Sequence, residues 1–444
     1  MAYASRGRSG GGYRGGRGRS GVGWLSTSRG GRGRSLAPTV DIGKLFENLN
    51  KEPVKTWSVK GLADFVQESG NRPYQITDRK RIASYNWDKK ANEPRIVVPG
   101  APKEFYEWQG GDLSGNFNEE REIPEDQNLD AMLTAAKIMK PSLQISDYDI
   151  VSSLDSITGL FHFCLQIVNV IRSKAGQSPI GSFKIGHDDI KLRIDVQMVE
   201  STLLLVRQEQ ELEPAGGVGL EFRRVCSQAP PLSMMLGEQL DDGLLRGIFK
   251  MVSGITMGTM KILLVDEVDA ARYPEESGLT NVFVAPNNPP LTVDIGGFKG
   301  HLNALTPIAF ASRSMRAASL HPAKYLKQYL CGTQYRYVGL HDKGIFNDPP
   351  LLESLQEVRN LCGIDQSAAE LWTKVLERVL DEIVYFARQH DFEVGYGQSL
   401  TKLAIIVDPE GGNLSIHEQD LRSGGRGAFE AVSEKTLQFF STAM

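Results

Sequence analysis

The first 36 residues differ in composition from the rest of the chain. They contain eight arginines and twelve glycines, and no acidic residue. Such a segment has almost no apolar side chains to bury, and each glycine loses much backbone entropy when it is ordered. We therefore expect residues 1–40 to form a disordered arginine- and glycine-rich tail, so that only the remainder builds a hydrophobic core.

The chemistry of this tail suits an anionic polymer. Guanidinium groups bind phosphate and stack on bases, and the interspersed aromatic rings add stacking surfaces. The repeats Gly-Tyr-Arg-Gly-Gly-Arg and Arg-Gly-Gly-Arg resemble the RGG boxes of RNA-binding proteins. We predict weakly sequence-specific, salt-sensitive RNA binding; the alternative is a solubilising or arginine-methylated tail with other acidic partners. The predicted RNA-binding residues are Arg6, Arg8, Arg14, Arg17, Arg19, Arg29, Arg32, Arg34, Tyr13 and Trp24.

The body that follows is acidic and has an ordinary globular composition. The whole chain carries −4 and the first 36 residues +8, so the other 408 residues carry −12. This imbalance leaves room for a protein partner of the body. No apolar run approaches the roughly 18 residues that span a bilayer, and no apolar signal region follows Met1. Four widely spaced cysteines favour neither disulfides nor zinc. We expect an intracellular protein, nuclear or cytoplasmic and not secreted, that has no membrane contact.

Hydrophobic periodicity predicts a mixed α/β (α+β) fold with a mainly antiparallel or mixed sheet flanked by helices. Residues 190–196 alternate apolar and charged side chains, which is typical of a half-buried strand, and residues 202–208 resemble its antiparallel neighbour. Residues 129–139 and 368–389 have helical spacing, and a helix is also predicted around residues 232–251. We divide the body into a strand- and loop-rich part (41–128), a main α/β domain (129–422), and a glycine-rich loop with a short helix (423–444).

One strand carries the clearest candidate for chemistry. The apolar run at residues 262–265 is followed by Asp266, Glu267, Val268 and Asp269. Because side chains alternate along a strand, Glu267 and Asp269 project to the same side. Two carboxylates on a rigid element suit a hard cation such as Mg²⁺ or Mn²⁺. The alternative interpretation is a solvated strand end.

Several short stretches resemble a fungal family often labelled geranylgeranyl pyrophosphate synthetase. They are Ser-Tyr-Asn-Trp at 84–87, Val-Val-Pro-Gly at 97–100, Ile-Val-Ser-Ser at 150–153, Glu-Val-Asp at 267–269, and parts of 328–346. The label implies a prenyl diphosphate synthase, an all-α enzyme that binds Mg²⁺ through D-D-x-x-D motifs. The sequences that begin Asp188-Asp189 and Asp241-Asp242 both lack the last aspartate, and the strand-rich centre argues against an all-α fold.

The same stretches are similar to the Rai1/DXO decapping nucleases of the PD-(D/E)XK group. This resemblance implies metal-binding acids from a glycine-led Glu motif, an E-x-D strand and an E-x-K strand, with metals that activate water. Glu267 and Asp269 match E-x-D. Arg223 stands where the glycine-led motif has its glutamate, and Glu221 lies two residues earlier. The E-x-K positions fall on the stretch that contains Ala309 and Ala311.

These departures predict a nuclease-like scaffold whose active site is degenerate, on an RNA-associated protein. Loss of one catalytic group from such a set usually costs several orders of magnitude in rate. The residual catalytic candidates are Glu267, Asp269 and Glu221, and the candidate Mg²⁺ or Mn²⁺ ligands are Glu267 and Asp269. The alternative is an active Mg²⁺- or Mn²⁺-dependent RNA 5′-end nuclease or decapping enzyme. A prenyl diphosphate synthase is the third and weakest hypothesis.

Overall fold

The structure, a computed structural model, describes most of the body. The described residues are 45–68, 75–88, 94–115, 128–180, 191–208, 217–236, 247–276, 283–284, 286–315, 322–394, 402–420 and 430–441. The predicted RNA-binding tail and the two Asp-Asp sequences lie outside them. All described residues belong to one compact unit, Pro38–Met444.

The described residues form nine α-helices. In chain order they are α1 Val59–Glu68, α2 Asp130–Met139, α3 Leu154–Thr158, α4 Phe161–Lys174, α5 Val218–Val225, α6 Pro322–Cys331, α7 Leu355–Leu361, α8 Gln366–Val394 and α9 Glu434–Ser441. Short 3-10 helices span Ile145–Asp147, Leu232–Met234 and Leu302–Ala304.

The first eleven strands precede the acid-bearing one. They are β1 Lys55–Ser58, β2 Ile76–Trp87, β3 Arg95–Val98, β4 Glu104–Phe105, β5 Gly111–Asp112, β6 Ile150–Ser153, β7 Leu192–Val199, β8 Thr202–Arg207, β9 Ser227–Gln228, β10 Met235–Leu236 and β11 Ile248–Met257. The rest are β12 Met260–Glu267, β13 Ala270–Arg272, β14 Thr292–Ile295, β15 Gly297–Phe298, β16 Thr306–Ser314, β17 Tyr335–His341, β18 Ile345–Phe346, β19 Leu351–Ser354, β20 Lys402–Asp408 and β21 Asn413–Glu418.

Two large sheets organise these strands. One has eleven described strands in the order β1-β21-β20-β7-β8-β6-β12-β11-β2-β3-β14, and the other has six in the order β19-β17-β16-β13-β4-β9. Both are mixed, because β12 pairs antiparallel with β11 and parallel with β6, while β16 pairs antiparallel with β13 and parallel with β17. The predicted mixed α/β class is confirmed. Strands from the 41–128 part and the 129–422 part share the larger sheet.

Helices pack on both faces of the larger sheet, α1, α4 and α8 on one and α2 and α9 on the other. The predicted helix at 368–389 is confirmed as α8, whose apolar stripe packs with α1 and α4 into the main core. Glu377 on α8 is buried against Gly258, a turn residue at φ +62° between β11 and β12. A side chain at Gly258 would overlap the Glu377 carboxyl group, so the turn requires glycine there. Burial raises the pKa of Glu377 to about 7.

One described segment, Leu154–Lys174, is long and apolar enough to cross a membrane, contrary to the sequence expectation. It consists of α3 and α4 rather than one helix. In its most apolar stretch of 18 residues, 67% is buried inside the fold. Its fully buried Phe163 and Ile167 pack in the main core. Burial of this kind is what a core helix of a globular fold shows.

One detail of the sequence prediction is wrong, and a second lies largely outside the described residues. The strand predicted to be half-buried, β7, is buried on both faces, since its charged residues pair internally: Arg193 donates to Asp195 at 2.7 Å. Of the helix predicted around residues 232–251, residues 237–246 lie outside the described residues, and the described ends form the 3-10 turn Leu232–Met234, β10 and the start of β11. Pairing of β11 with β2 and β12 on its two edges makes residues 248–251 a strand.

Candidate functional site

The acidic residues lie where the chain passes from one large sheet to the other. Strand β12 ends at Glu267 in the eleven-stranded sheet, and β13 begins at Ala270 in the six-stranded sheet. Val268, between them, is buried in a cluster with Met251. Burial of Val268 turns Glu267 and Asp269 to the other side of the backbone, as the alternation of a strand requires.

Asp269 is held by the neighbouring strand. Its Oδ2 accepts a 2.7 Å hydrogen bond from the backbone N–H of Phe310 on β16. The residues on either side of Phe310, Ala309 and Ala311, are the positions at which the nuclease resemblance requires a carboxylate and a lysine. Their methyl groups supply neither an anionic ligand nor an ammonium group.

The cation opposite the acids comes from α5. Arg223 places its Nε 3.2 Å from Oδ1 of Asp269 and its Nη1 3.6 Å from Oε1 of Glu267. One guanidinium therefore bridges both carboxylates. In the alignment expected from the nuclease resemblance, Arg223 stands at the position of a glutamate; the structure shows its positive charge lying against the two acids.

Aromatic packing fixes the position of α5. Phe222 is fully buried, and its ring stacks on Phe346 with centroids 5.4 Å apart and planes 10° apart. A side chain added at Gly339 would lie 2.5 Å from Phe222 and 2.4 Å from Phe346, so only glycine fits beneath them. Since Arg223 follows Phe222 in the chain, this packing sets the direction from which the guanidinium reaches the acids.

The resemblance stretches also build the scaffold beside the site. The side-chain amide of Asn86 donates to the carbonyl of Ala101 at 3.1 Å, and its oxygen accepts from the Ala101 N–H at 2.6 Å. Gly100 lies so close to the backbone of Tyr85 that an added side chain would approach it to 2.4 Å. These residues join β2 to the segment after β3, and their role here is packing and hydrogen bonding.

Two opposing effects act on the pKa of Asp269. Burial raises the pKa of Asp269, and Arg223 acts in the opposite direction by stabilising the carboxylate. The side chains of Arg223 and Glu267 are 49% and 39% exposed, so solvent screens their attraction and the pair contributes little to stability. Its main effect is on what else can bind there.

The described residues do not fit a divalent metal at this site. A hard cation prefers several oxygen ligands, whereas both acids here are already paired with a guanidinium. Among the described residues, no group of three or more His, Cys, Asp or Glu side chains could hold a metal ion. The two predicted ligands are therefore brought together, but with a cation between them in place of a third donor.

Glu221 is paired with the second arginine of α5. It accepts a 2.6 Å hydrogen bond from Nε of Arg224, one turn along α5. Its catalytic role stays a prediction.

A second charged cluster, on the opposite side of β12, was missed by the sequence analysis. Lys327 of α6 places its Nζ 3.1 Å from Oδ1 of Asp155 and 3.9 Å from Oδ1 of Asp266. Burial raises the pKa of Asp266 to about 6, although Lys327 opposes the shift. These residues come from three distant segments, so no local motif announces them. The adjoining cavity, of about 10 Å³, is too small for a ligand.

No protein-family model and no curated protein matches the sequence. Solved structures do resemble the fold. Rai1 of S. pombe in complex with 3′-FADP is 12% identical, with a TM-score of 0.53 over 82% of this chain and 99% of that one. Rai1 of Candida albicans in complex with pU5-Mn²⁺ is 12% identical, with a TM-score of 0.54 over 88% and 99%.

A third such structure is Rai1 of Scheffersomyces stipitis in complex with (3′-NADP)⁺ and calcium ion. It is 13% identical, with a TM-score of 0.53 over 88% of this chain and 99% of that one. At these identities the likeness establishes the fold and not the activity. The Rai1-like architecture expected from the short stretches is confirmed, and nothing in the comparisons supports the prenyl synthase label.

Proposed function

We propose that this protein is an RNA-associated protein built on a decapping-nuclease scaffold that does not cleave RNA. The observation that carries the proposal is the bridge from Arg223 to Glu267 and Asp269. Metal-dependent hydrolysis needs carboxylates that are free to hold a cation, which then activates water. The guanidinium of Arg223 neutralises the charge of one of the two carboxylates and repels a metal cation.

The loss of the other polar positions supports the same conclusion. Ala309 and Ala311 flank the strand residue that hydrogen-bonds to Asp269, and neither has a side chain able to bind a metal or to stabilise a developing negative charge. Replacing Arg223 with glutamate would add a third acid but would not restore the reaction. Ala309 and Ala311 would remain, and the catalytic groups of one site act as a unit.

RNA association is proposed from the tail composition and from the fold. Eight arginines without a compensating acid favour contact with phosphate. The Candida albicans Rai1 structure contains the RNA fragment pU5, so a related fold accommodates RNA. We further propose an intracellular location, nuclear or cytoplasmic, and a protein partner for the acidic body.

The second candidate function is an active Mg²⁺- or Mn²⁺-dependent RNA 5′-end nuclease or decapping enzyme. The adjacency of Glu267 and Asp269 is the observation that favours it. It requires Arg223, whose side chain is 49% exposed, to leave the acids when substrate and metal arrive.

The RNA part of the proposal is tested by salt-dependent binding of the full chain to single-stranded RNA. Each neutralised phosphate contributes about −0.7 to the slope of log K against log salt for single strands. We expect substitution of the eight tail arginines by alanine to reduce this slope and the affinity, and substitution by lysine to retain most of the slope. Wild-type affinity in the alanine variant would show that the tail is not the RNA-binding arm.

A further inference from the structure

A cavity of about 380 Å³ lies on the side of α6 away from the acids. It is bounded by α6, α7, the first two turns of α8 and the start of β2. Its volume falls in the range of roughly 300–1,000 Å³ that is usual for small-molecule sites. Neither the acid pair nor the cluster around Asp266 contributes to its lining.

Two tyrosines one turn apart on α6 form one wall. The rings of Tyr325 and Tyr329 are nearly parallel, 16° apart, with centroids 5.8 Å apart. Both tyrosines line the cavity; Tyr325 is buried in the main core, whereas Tyr329 is only partly buried. The inner ring thus supports the outer one as a rigid aromatic surface, on which a planar ligand can stack.

The polar lining is balanced in charge. Nη1 of Arg359 donates to the amide oxygen of Gln366, and the amide nitrogen of Gln366 donates to Glu370 at 2.7 Å. One cation and one anion are therefore linked through an amide, so the lining does not favour ligands of one charge over the other. Nε of Arg359 is buried without a hydrogen-bond partner among the described residues.

Further side-chain amides surround this chain of hydrogen bonds. Gln75 and Gln334 are exposed residues at the cavity, and each amide provides both donors and an acceptor. Paired donors and acceptors of this kind match the edge of a nucleobase, which also presents both. A carbohydrate would use the amides, but it would leave the ring of Tyr329 without a planar partner.

We propose that this cavity binds a nucleobase, stacked on Tyr329 and hydrogen-bonded through the amides of Gln334 and Gln75. The base comes either from an unpaired nucleotide of RNA or from a free nucleotide. The RNA source rests on the proposed RNA association, whereas the free-nucleotide source is independent of it. The cavity lining includes neither Glu267 nor Asp269, so substitutions in the cavity leave the acid pair untouched.

The first test measures binding of AMP, GMP, CMP and UMP to the full chain by titration calorimetry, with ribose 5-phosphate as the ligand without a base. We expect saturable binding of at least one nucleotide and none of ribose 5-phosphate. Tyr329→Ala is expected to weaken binding about 5- to 100-fold, the range for loss of one base–aromatic stack. Tyr329→Phe should retain it, since the ring remains.

Two further variants distinguish loss of the binding site from misfolding of the protein. Gln334→Ala changes an exposed residue, so it leaves the fold intact and is expected to alter the preference among the four bases. Tyr385→Ala removes a tyrosine that is 67% exposed and lies outside the cavity, and it should have no effect. Absence of nucleotide binding, or binding equally strong in wild type, Tyr329→Ala and Gln334→Ala, would overturn the proposal.

The second test separates the two sources of the base. Single-stranded RNA containing 4-thiouridine is photocrosslinked to the full chain, and the crosslinked peptides are identified by mass spectrometry. A crosslink at α6 that the bound nucleotide competes away identifies an RNA base in the cavity. Nucleotide binding with crosslinks only in the tail identifies a free nucleotide. Neither outcome depends on cleavage or on the tail arginines, so failure here is distinguishable from failure of the proposed function.

Discussion

Replacing Arg223 with glutamate is expected to convert the acid pair into a divalent-cation site. With all three side chains ionised, Arg223, Glu267 and Asp269 sum to −1, and the Arg223→Glu variant would sum to −3. The variant also places a third carboxylate where the guanidinium now lies between 3.2 and 3.6 Å from the two acids. Carboxylate oxygens in that number suit Mn²⁺ or Mg²⁺.

The size of the effect follows from Coulomb's law. Two unit charges about 4 Å apart interact by about 1 kcal/mol in a water-like dielectric. That dielectric is appropriate, because the Arg223 and Glu267 side chains are 49% and 39% exposed. A change of two charges acting on a divalent ion is then worth about 4 kcal/mol, or about a thousandfold in the dissociation constant.

Titration with Mn²⁺, followed by the loss of the free-ion electron paramagnetic resonance signal, measures this difference. The matched control is Arg224→Glu, which makes the same charge change on the next residue of α5, where the side chain pairs with Glu221. We expect tight binding by Arg223→Glu alone. Equal Mn²⁺ affinity in wild type and Arg223→Glu would refute the reasoning. Cleavage is not expected in any variant, since Ala309 and Ala311 remain.

Three further predictions concern the scaffold. The pKa of Glu377 is raised to about 7 from 4.5. Between these pH values the native state binds one more proton than the unfolded state does. The free energy of unfolding should therefore fall by up to about 3 kcal/mol as the pH rises from 4.5 to 7. Urea unfolding between pH 4.5 and 8 should show this loss in wild type and not in Glu377→Gln. Gly339→Ala crowds Phe222 and Phe346 and should lower the free energy of unfolding by about 1–3 kcal/mol. The control is Gly115→Ala, whose added methyl group meets nothing within 4 Å and should not change stability. Chemical denaturation measures both. Burial raises the pKa of the buried thiols of Cys164, Cys226 and Cys362, so a disulfide reagent at pH 8 should label these three only after unfolding. Their rapid labelling in the native protein would contradict their burial.

Local pattern was sufficient where one strong periodicity decided the structure. The strand that ends at Glu267 and the long helix α8 were both predicted, because a continuous apolar run and a helical stripe each leave one way to bury their side chains. The E-x-D spacing also predicted that Glu267 and Asp269 share a side, and one guanidinium touches both. These features depend on neighbours within a few residues.

Features that depend on distant partners could not be predicted. Residues 248–251, predicted to lie in a helix, form a strand because β11 is held between β2 and β12, whose pairing the local spacing does not encode. The charged residues of β7 suggested an exposed face, yet Arg193 and Asp195 satisfy each other in the interior.

The candidate site shows the same division. Arg223 was recognised as a departure from the nuclease pattern, but its contact with the acids depends on the stacking of Phe222 on Phe346, a residue 124 positions later in the chain. The position of Lys327 beside Asp266 likewise needs α6 to pack near the end of β12. Sequence identified the acids, and tertiary packing determined the cations that accompany them.

The most direct test of the central claim is a cleavage assay on the full chain. It is incubated with 5′-triphosphate, 5′-monophosphate and capped RNAs in Mg²⁺ or Mn²⁺, beside the double variant Glu267→Ala/Asp269→Ala. We predict that wild type and the double variant leave all three RNAs equally intact and that both still bind RNA. Metal-dependent cleavage by wild type that the double variant lacks would contradict it, and would show that Arg223 leaves the acids during turnover.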